Sequence, residues 1–479
     1  MFNTDLAAIV PMLSVTLAAL ATMGMEAFRK PGENIPLGGL GIIGLAGAAV
    51  STVMLWNRNS DGFGVIVADN FGLFVTMTLV VVGVLTILFS SQVVHRDAYP
   101  KGEYYTLLLF AIVGMMMMAT ANDLLVVFVA LEILSLSVYV LTGIRRDSLR
   151  ATEAAFKYFL LGAFSSAFFL YGIAFTYGVT GSTRLTAVGS YLSAQALTSN
   201  PMVLIAVGLL LVGFAFKISA VPFHMWTPDA YEGAPAIVTG FMSTGVKAAA
   251  FAAFARVFLS ALEPFKADWA PIVAALAALT MILGTVVGVA QSNVKRMLAY
   301  SSIAHGGYLL VGLVAANQVG KAAILFYLLG YSVTNLAAFG VIALLSARDR
   351  DTDELRDYAG LWHSHPALAA LMTVCLLSLG GLPPTVGFVA KWYIFSAAVG
   401  AGYYWLAIIG MLTSVVSVFF YLRVVVMMYM ADRTGGPVPA QVTVVGMVAL
   451  TVSIAAIFYL GILPAPVMNY AAESIATIF

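Results

Sequence analysis

The sequence contains very little charge. Asp, Glu, Lys and Arg together make up 9% of its 479 residues, whereas a soluble domain contains roughly 25%. Hydrophobic residues make up 61%, and apolar stretches of about 20 residues, long enough to cross a hydrocarbon layer of about 30 Å as helices, follow one another along the whole chain. The composition therefore excludes a soluble globular domain and predicts an all-α integral membrane protein in a lipid bilayer.

Cysteine is almost absent, and neither sign of charge dominates. The single cysteine, Cys375, lies in an apolar run, so there is no disulfide framework and no ligand set for an iron–sulfur cluster. The net charge of +1 gives no reason to expect a nucleic-acid partner. The glycine pattern "GLGIIG" at Gly39–Gly44 lies inside an apolar stretch without a preceding strand, which indicates helix packing and not dinucleotide binding. We therefore expect no metal, no cofactor and no redox site in this chain.

Hydropathy predicts about fourteen transmembrane helices in one membrane domain, residues 1–479. Residues 1–100 would hold three N-terminal helices, 101–265 a first repeat (helices 4–8), 266–435 a second repeat (helices 9–13) and 436–479 the last helix. The predicted spans lie at about residues 6–25, 36–56, 70–90, 104–121, 123–143, 154–178, 202–220, 235–259, 270–290, 295–316, 320–346, 367–395, 401–425 and 440–463.

Basic residues concentrate in alternate loops. Fourteen Lys and Arg residues, among them Arg348, Arg350 and Arg433, lie in or beside loops that follow odd-numbered spans, and four lie in loops that follow even-numbered spans. The positive-inside rule makes the first set of loops cytoplasmic. Both termini are therefore predicted to face the outer side of the membrane.

Two pairs of similar segments indicate an internal repeat. "AAFKYFLLGAFSSAFFLYG" from Ala154 and "AAILFYLLGYSVTNLAAFG" from Ala322 share the pattern A-A-x4-L-L-G-x9-G, and "GFAFK" ends at Lys217 as "GFVAK" ends at Lys391. The offset of five helices is odd, so the second copy would cross the bilayer in the opposite direction. Inverted repeats are typical of transporters, and chance similarity between Leu- and Gly-rich helices is the alternative.

A few ionisable residues remain at membrane depth once the loops are set aside. Each raises the cost of insertion by roughly 2.5–3.5 kcal/mol, so four of them cost on the order of 10–14 kcal/mol that leucines would not. A packing ion pair is the alternative, but a single acid cannot pair several lysines. For the lysine nearest a helix end, an extended side chain that reaches the cytoplasmic surface is a second alternative. These residues are Glu132, Lys157, Lys217, Lys247 and Lys391.

Lysine at this depth is suited to exchange a proton. Burial disfavours the charged form of a lysine and a nearby carboxylate favours it, so a change in the distance between Glu132 and a lysine would switch that lysine between binding and releasing a proton. His224 in "PFHMW" and His305 in "SSIAHGGY" are candidate relays between the lysines, because imidazole both donates and accepts near neutral pH. A packing role is the alternative for either histidine.

Prolines predict discontinuous helices in spans 7 and 12. Pro222 follows Lys217 by five residues, and Pro383 and Pro384 precede Lys391. Proline removes a backbone donor, and the carbonyl groups that it leaves unpaired must be met by protein or water at that depth. A broken helix beside a buried lysine, once in each repeat, predicts two half-channels that join at mid-membrane.

The segment "KISAVPFHMWTPDAYEGAP", followed by "VTGFMSTGVKAAAFAAFARV", resembles the antiporter-like membrane subunits of the proton-pumping NADH:quinone oxidoreductase, respiratory complex I. The resemblance spans essentially the whole chain and is most specific between Lys217 and Lys247. Within that family it is most similar to the subunit N group, which reads "WTPD-x-YEGAP" where the L and M subunits and the multisubunit sodium/proton antiporters tend to read "WLPDA".

The resemblance implies roles for individual residues. Glu132 would be the carboxylate that modulates Lys217, Lys247 the central link, and Lys391 the group that faces the second half-channel. Other residues match polar positions of the family and would take part in proton transfer: Lys157, Lys295 and His305.

The resemblance also implies a cellular context. The chain would be a translocase subunit in a bacterial cytoplasmic (inner) membrane, with both termini on the periplasmic side, that moves protons while other subunits transfer electrons from NADH to quinone. Its partners would be further membrane subunits and a peripheral arm that holds FMN and iron–sulfur clusters. Two alternatives are a subunit of a multisubunit sodium/proton antiporter, and a structural spacer whose buried charges serve assembly.

Overall fold

Apolar stretches of this chain form long helices, because a helix satisfies its own backbone hydrogen bonds where no water is available. A computed structural model describes residues 4–30, 35–194, 200–347, 352–432 and 442–478. The helices are α1 (Thr4–Ala27), α2 (Leu37–Leu55), α3 (Asn70–Arg96), α4 (Lys101–Thr120), α5 (Leu124–Thr142), α6 (Leu149–Thr180), α7 (Leu185–Ala194), α8 (Pro201–Lys217), α9 (Trp226–Gly233), α10 (Ala236–Phe241), α11 (Lys247–Arg256), α12 (Lys266–Val289), α13 (Val294–Ala315), α14 (Gln318–Leu345), α15 (Leu361–Ser364), α16 (Pro366–Gly380), α17 (Val386–Gly400), α18 (Tyr404–Met430), α19 (Val444–Ile462) and α20 (Ala465–Ile475).

Twelve helical segments in the described part of the chain are long and apolar enough to cross a membrane. This confirms the prediction of an all-α, multi-pass membrane protein. One of these segments, Ala236–Ala261, joins α10 and α11 through two π-helical stretches, Met242–Val246 and Val257–Ala261. This segment, α13 and α14 are almost entirely enclosed by other helices, so their side chains form the interior of the bundle.

The chain breaks at the end of the seventh predicted span and within the twelfth, each time between two shorter helices. α8 ends at Lys217 and α9 begins at Trp226, with Pro222 between them, and α16 ends at Gly380 before α17 begins at Val386. The chain can turn at the first break because Ser219 has φ of 64°, and at the second because Gly381 has φ of 85°. Glycine adopts this conformation without strain, whereas serine does so at a cost.

The two lysine-containing segments of the predicted repeat are not equivalent in the structure. "GFAFK" precedes the first break, since Lys217 is the last residue of α8, whereas "GFVAK" follows the second break, since Lys391 lies inside α17. The short sequence match therefore does not mark the same position in two repeats. Glycine is needed in both segments because a Cβ at Gly213 would lie 2.5 Å from Phe169 and one at Gly387 would lie 1.8 Å from Ser378 O.

Short elements outside the predicted spans also occur. β1 (Ser60–Gly62) and β2 (Ile66–Ala68) form an antiparallel hairpin after α2, which the all-α prediction did not include. Three-residue strands carry too little alternation to be read from sequence. Arg348, Arg350 and Arg433, which the predicted topology used, lie outside the described residues.

Candidate functional site

Lys217 is buried at the end of α8 and faces side chains of α5 and α6. Its Nζ donates a hydrogen bond to Ser135 Oγ at 2.6 Å, and it lies 5.6 Å and 5.5 Å from the ring centroids of Tyr139 and Tyr158. Only 3% of the residue is exposed. A buried amine therefore meets a neutral oxygen and two aromatic faces, which attract its charged form.

Glu132 lies on α5 one turn before Ser135, so the two side chains share a helix face. Its Oε1 accepts a hydrogen bond from Ser166 Oγ of α6 at 2.5 Å. Glu132 and Lys217, both in the described part of the chain, are not joined by an ion pair. Each is instead bonded to a serine, so the predicted carboxylate and lysine are near neighbours that the structure holds apart.

Side chains of α9 form hydrogen bonds with polar atoms at the first helix break. Trp226 Nε1 donates to Phe216 O at 3.0 Å, and the indole stacks on Tyr158 with centroids 4.2 Å apart. Thr227 Oγ1 donates to Ser219 Oγ at 2.7 Å. The first residues of "WTPDAYEGAP" thus fix the shape of the chain around Lys217.

The acidic residues of the same motif form an ion-pair network with Lys157. Lys157 Nζ lies 2.7 Å from Glu153 and 2.9 Å from Asp229, while Arg296 Nη1 lies 2.8 Å from both Asp229 and Glu232. The Lys157 side chain is 44% exposed. The structure therefore places Lys157 in an ion-pair network at the surface of the bundle, whereas Lys217, Lys247 and Lys391 are buried. Sequence reasoning missed the four other members of this network, Glu153, Asp229, Glu232 and Arg296, although Asp229 and Glu232 lie three residues apart in a quoted motif.

Lys247 lies at the centre of the enclosed segment, directly after the first π-helical stretch. Its Nζ donates to Ser302 Oγ at 2.6 Å and also to the Ser302 carbonyl. The Tyr331 ring centroid is 5.7 Å away. One turn earlier, Ser243 Oγ accepts a hydrogen bond from Asn335 Nδ2 at 2.7 Å. π-helical stretches are frequent at functional sites, and here one places Lys247 against α13 and α14.

Lys391 meets the freed carbonyls of the second break. Its Nζ donates to Leu379 O at 2.9 Å, to Gly380 O at 3.0 Å and to Ser414 Oγ at 2.8 Å. The Tyr308 ring centroid is 5.2 Å away. The side chain thus replaces the backbone donors that the break removes, as the proline pattern required.

His305 lies between Lys247 and Lys391. Its Nδ1 forms a hydrogen bond with Tyr327 OH at 2.6 Å. Its ring lies 4.9 Å from that of Tyr331 and 5.5 Å from that of Tyr308. Because Tyr331 faces Lys247 and Tyr308 faces Lys391, the structure joins the two lysines through aromatic side chains and one imidazole.

Lys247, Tyr331, His305, Tyr308 and Lys391 form a central row. The last two predicted residues, His224 and Lys295, lie outside it. His224 is half-buried in the break between α8 and α9. Lys295 is buried at the start of α13, where its Nζ donates to Ala234 O at 2.9 Å and lies 3.4 Å from Asp353. It is ten residues from His305 along α13, about 15 Å at 1.5 Å per residue.

The sequence analysis missed the buried tyrosines and one buried ion pair. A phenol in an apolar helix needs a polar partner, a signal that was available in the sequence. Arg256 donates to both carboxylate oxygens of Asp69 at 2.7 Å and 2.8 Å, and both residues are buried. The described residues contain no group of three or more His, Cys, Asp or Glu that could hold a metal ion. The tyrosines in contact with Lys217, Lys247, Lys391 or His305 include Tyr139, Tyr158, Tyr308, Tyr327, Tyr331 and Tyr421.

Comparisons with known proteins agree with this architecture. A family model described as "NADH:quinone oxidoreductase/Mrp antiporter, TM" matches residues 121–417. The chain is 45% identical to NADH-quinone oxidoreductase subunit N from Trichlorobacter lovleyi over 100% of this chain and 99% of that relative. It is similar to a chain of respiratory complex I from Thermus thermophilus with bound aureothin, with a TM-score of 0.80 and 35% identity over 96% of this chain and 99% of that one.

A chain of the Mrp complex from a Dietzia species shares the fold, with a TM-score of 0.84 and 20% identity over 100% of this chain and 98% of that one. The family model covers more than half of the chain, and the T. lovleyi relative matches it from end to end. The chain therefore belongs to the NADH:quinone oxidoreductase/Mrp antiporter family of membrane subunits, among which its full-length curated relatives are subunit N of NADH-quinone oxidoreductase.

Proposed function

We propose that this chain is a proton-translocating subunit of an NADH:quinone oxidoreductase, and that electron transfer from NADH to quinone in other subunits drives the transport. The observation that carries the proposal is the row from Lys247 through Tyr331, His305 and Tyr308 to Lys391. It crosses the enclosed interior of a membrane bundle, where ionisable groups are costly and mark functional sites.

The partners of the lysines support proton exchange. Lys217, Lys247 and Lys391 are bonded to hydroxyl or carbonyl oxygens and to no carboxylate within the described residues. A lysine with neutral partners can lose and regain a proton without breaking an ion pair. Glu132, one helical turn from Ser135, is placed to favour the charged form of Lys217 when the two approach each other.

The helix breaks support a proposal for how water reaches the buried lysines. Breaks beside Lys217 and Lys391 would give water access from the two sides, as two half-channels of inverted five-helix repeats, 101–265 and 266–435. The other site residues, Lys157, His224 and Lys295, would transfer protons toward this row. The chain would lie in a bacterial inner membrane with both termini periplasmic. Its partners would be the other membrane subunits and a peripheral arm that holds FMN and iron–sulfur clusters.

Replacement of Lys217 by alanine tests the proposal in the intact complex. We expect NADH oxidation by an artificial acceptor to stay near the wild-type rate, because that reaction needs only the peripheral arm. Coupled quinone reduction and proton pumping into inverted membrane vesicles should fall at least about tenfold, which corresponds to about 1.4 kcal/mol. Full pumping by an assembled Lys217→Ala complex would refute the proposal, whereas normal assembly with lost pumping would reject the structural-spacer alternative.

A subunit of a multisubunit sodium/proton antiporter is the second candidate, favoured by the fold shared with the Mrp chain. The two candidates differ in their partners. A complex purified through this chain should show flavin and iron–sulfur absorbance if the first proposal holds. Sodium-dependent proton exchange by a purified complex without either chromophore would favour the antiporter.

A further inference from the structure

Glu132 and Lys217 are each hydrogen-bonded to a serine and not to each other. Ser135 Oγ accepts the hydrogen bond of Lys217 Nζ at 2.6 Å, and Ser166 Oγ donates to Glu132 Oε1 at 2.5 Å. Ser135 Oγ also donates to the Leu131 carbonyl. That bond uses the only proton of the hydroxyl, so its lone pairs are left to accept from Lys217.

The geometry places the two bonds side by side. Glu132 and Ser135 are three residues apart on α5, and residues at this spacing are neighbours on a helix surface. Lys217 would thus need only a small displacement along α5 to exchange a hydroxyl for a carboxylate. A hydroxyl bonded to a carboxylate at 2.5 Å is a strong, charge-assisted hydrogen bond, which fixes Glu132 against Ser166 of α6 and not in an ion pair with Lys217.

A small cavity adjoins the two serine contacts. Its lining includes Lys217, Tyr139, Ser165 and Ser166, and its volume of about 10 Å³ is close to the minimum that one water molecule needs. The space between Lys217 and α6 is therefore neither filled by a side chain nor closed by an ion pair. A proton leaving Lys217 has polar groups beside it on this face.

We propose that Ser135 and Ser166 are positioning residues that hold the Glu132–Lys217 pair open, so that Lys217 can release its proton. This inference rests on the proposed function. Each serine acts through the residue that it binds: Ser135 offers Lys217 a neutral acceptor, and Ser166 retains Glu132 as a carboxylate bonded to α6. Without the Ser135 hydroxyl, Glu132 is the best remaining partner of Lys217, and without the Ser166 hydroxyl, Lys217 is the best remaining partner of Glu132. The ion pair therefore forms when either serine is replaced by alanine.

The pH profile of proton pumping by the intact complex tests this inference. In Ser135→Ala and in Ser166→Ala, the ion pair with Glu132 should keep the proton on Lys217. The pH profile of pumping should therefore move in the alkaline direction by about one pH unit, which corresponds to a tenfold change in the protonation equilibrium. Ser135→Thr and Ser166→Thr keep a hydroxyl and should restore the wild-type profile. The other titratable groups around Lys217 are Tyr139 of α5, Tyr158 of α6 and, beyond Ile218, Lys247 of α11, and none of them is altered.

Matched controls separate this role from a general loss of packing. Ser137 on α5 and Thr176 on α6 are buried, and among the described residues their hydroxyls bond only to carbonyls of their own helices. Ser137→Ala and Thr176→Ala should therefore leave the profile unchanged. Subunit content and NADH oxidation by an artificial acceptor report assembly.

The outcomes distinguish the two proposals. If Lys217→Ala abolishes pumping but the serine variants keep the wild-type profile, or move it in opposite directions, the serine inference is overturned and the proposed function stands. If Lys217→Ala pumps fully, the proposed function fails, and the serine inference fails with it.

Discussion

Three of the four buried lysines in the described part of the chain are each bonded to a serine from another helix. Ser135, Ser302 and Ser414 accept from Lys217, Lys247 and Lys391 at 2.6–2.8 Å. A hydroxyl oxygen accepts a hydrogen bond from the ammonium form of a lysine and also from an N–H of its neutral amine form. The serine therefore remains a partner when the lysine loses its proton, and no ion pair has to break.

Replacement of Lys391 by arginine tests whether this position needs only a positive charge or a group that can lose its proton. A guanidinium keeps donors for the carbonyls of Leu379 and Gly380 but does not lose its proton in proteins. We expect the Lys391→Arg complex to assemble and to reduce artificial acceptors normally, with pumping reduced at least about tenfold. Pumping at the wild-type rate would show that positive charge alone is required at this position.

The buried pair of Arg256 and Asp69 serves stability. Arg256→Ala leaves the Asp69 carboxylate without its partner in the interior, a change that costs about 3–5 kcal/mol for buried pairs. We expect a lower thermal midpoint and less assembled subunit in the membrane.

Two further variants check this assignment. Asp69→Asn combined with Arg256→Leu should recover part of the stability, because no buried charge remains, and Arg58→Ala at an exposed position should have almost no effect. Equal stability of Arg256→Ala and wild type would contradict a structural role for the pair.

The helix breaks are the elements that place lysines among polar groups. At the first break, Val221 N donates to Thr280 Oγ1 at 2.9 Å, and at the second, Lys391 bonds to the last two carbonyls of α16. Each break therefore exchanges helical hydrogen bonds for bonds to side chains. These backbone atoms therefore stay paired although the helix is interrupted.

Close packing of α17 against α16 makes the second break sensitive to added volume. A Cβ at Gly387 would lie 1.8 Å from Ser378 O, whereas a Cβ at Gly208 on α8 would meet no atom within 4 Å. We expect Gly387→Ala to lower stability by at least about 1–3 kcal/mol, because a backbone oxygen cannot move aside as a flexible side chain can. The thermal midpoints of purified Gly387→Ala and Gly208→Ala measure the difference, and equal midpoints would contradict this packing.

At the scale of the whole molecule, long apolar runs and prolines were enough to predict the membrane bundle and the positions of its breaks. The depth of a charged group was harder to predict. Lys157 and Lys217 both lie in apolar helices, but α9 brings Asp229 to Lys157 at the bundle surface and leaves Lys217 inside. Contacts between distant segments decide such differences, and hydropathy along one helix does not contain them.

The lysines and the histidine of the central row were predictable from the sequence, but the tyrosines that connect them were not. Lys247, His305 and Lys391 stand out in the sequence because charge and imidazole are rare there. Tyr308 and Tyr331, which connect them, are two of 21 tyrosines, and only packing of α11, α13, α14 and α17 shows that they face the row.

Water in the enclosed interior is the central requirement for a continuous proton path. On α14, which faces Lys247 through Tyr331, three buried polar atoms have no hydrogen-bond partner within the described residues: Tyr331 OH, Ser332 Oγ and Asn335 Oδ1. Buried polar atoms in native proteins are almost always paired with protein or ordered water. These atoms therefore mark where water is expected.

A density map of the intact complex at a resolution that shows individual waters tests this requirement most directly. We predict ordered waters bonded to Tyr331, Ser332 and Asn335 that link Lys247 with His305 and continue toward Lys391. A map in which the same resolution shows waters elsewhere, but these polar atoms and lysines are dry and separated from one another, would contradict the account.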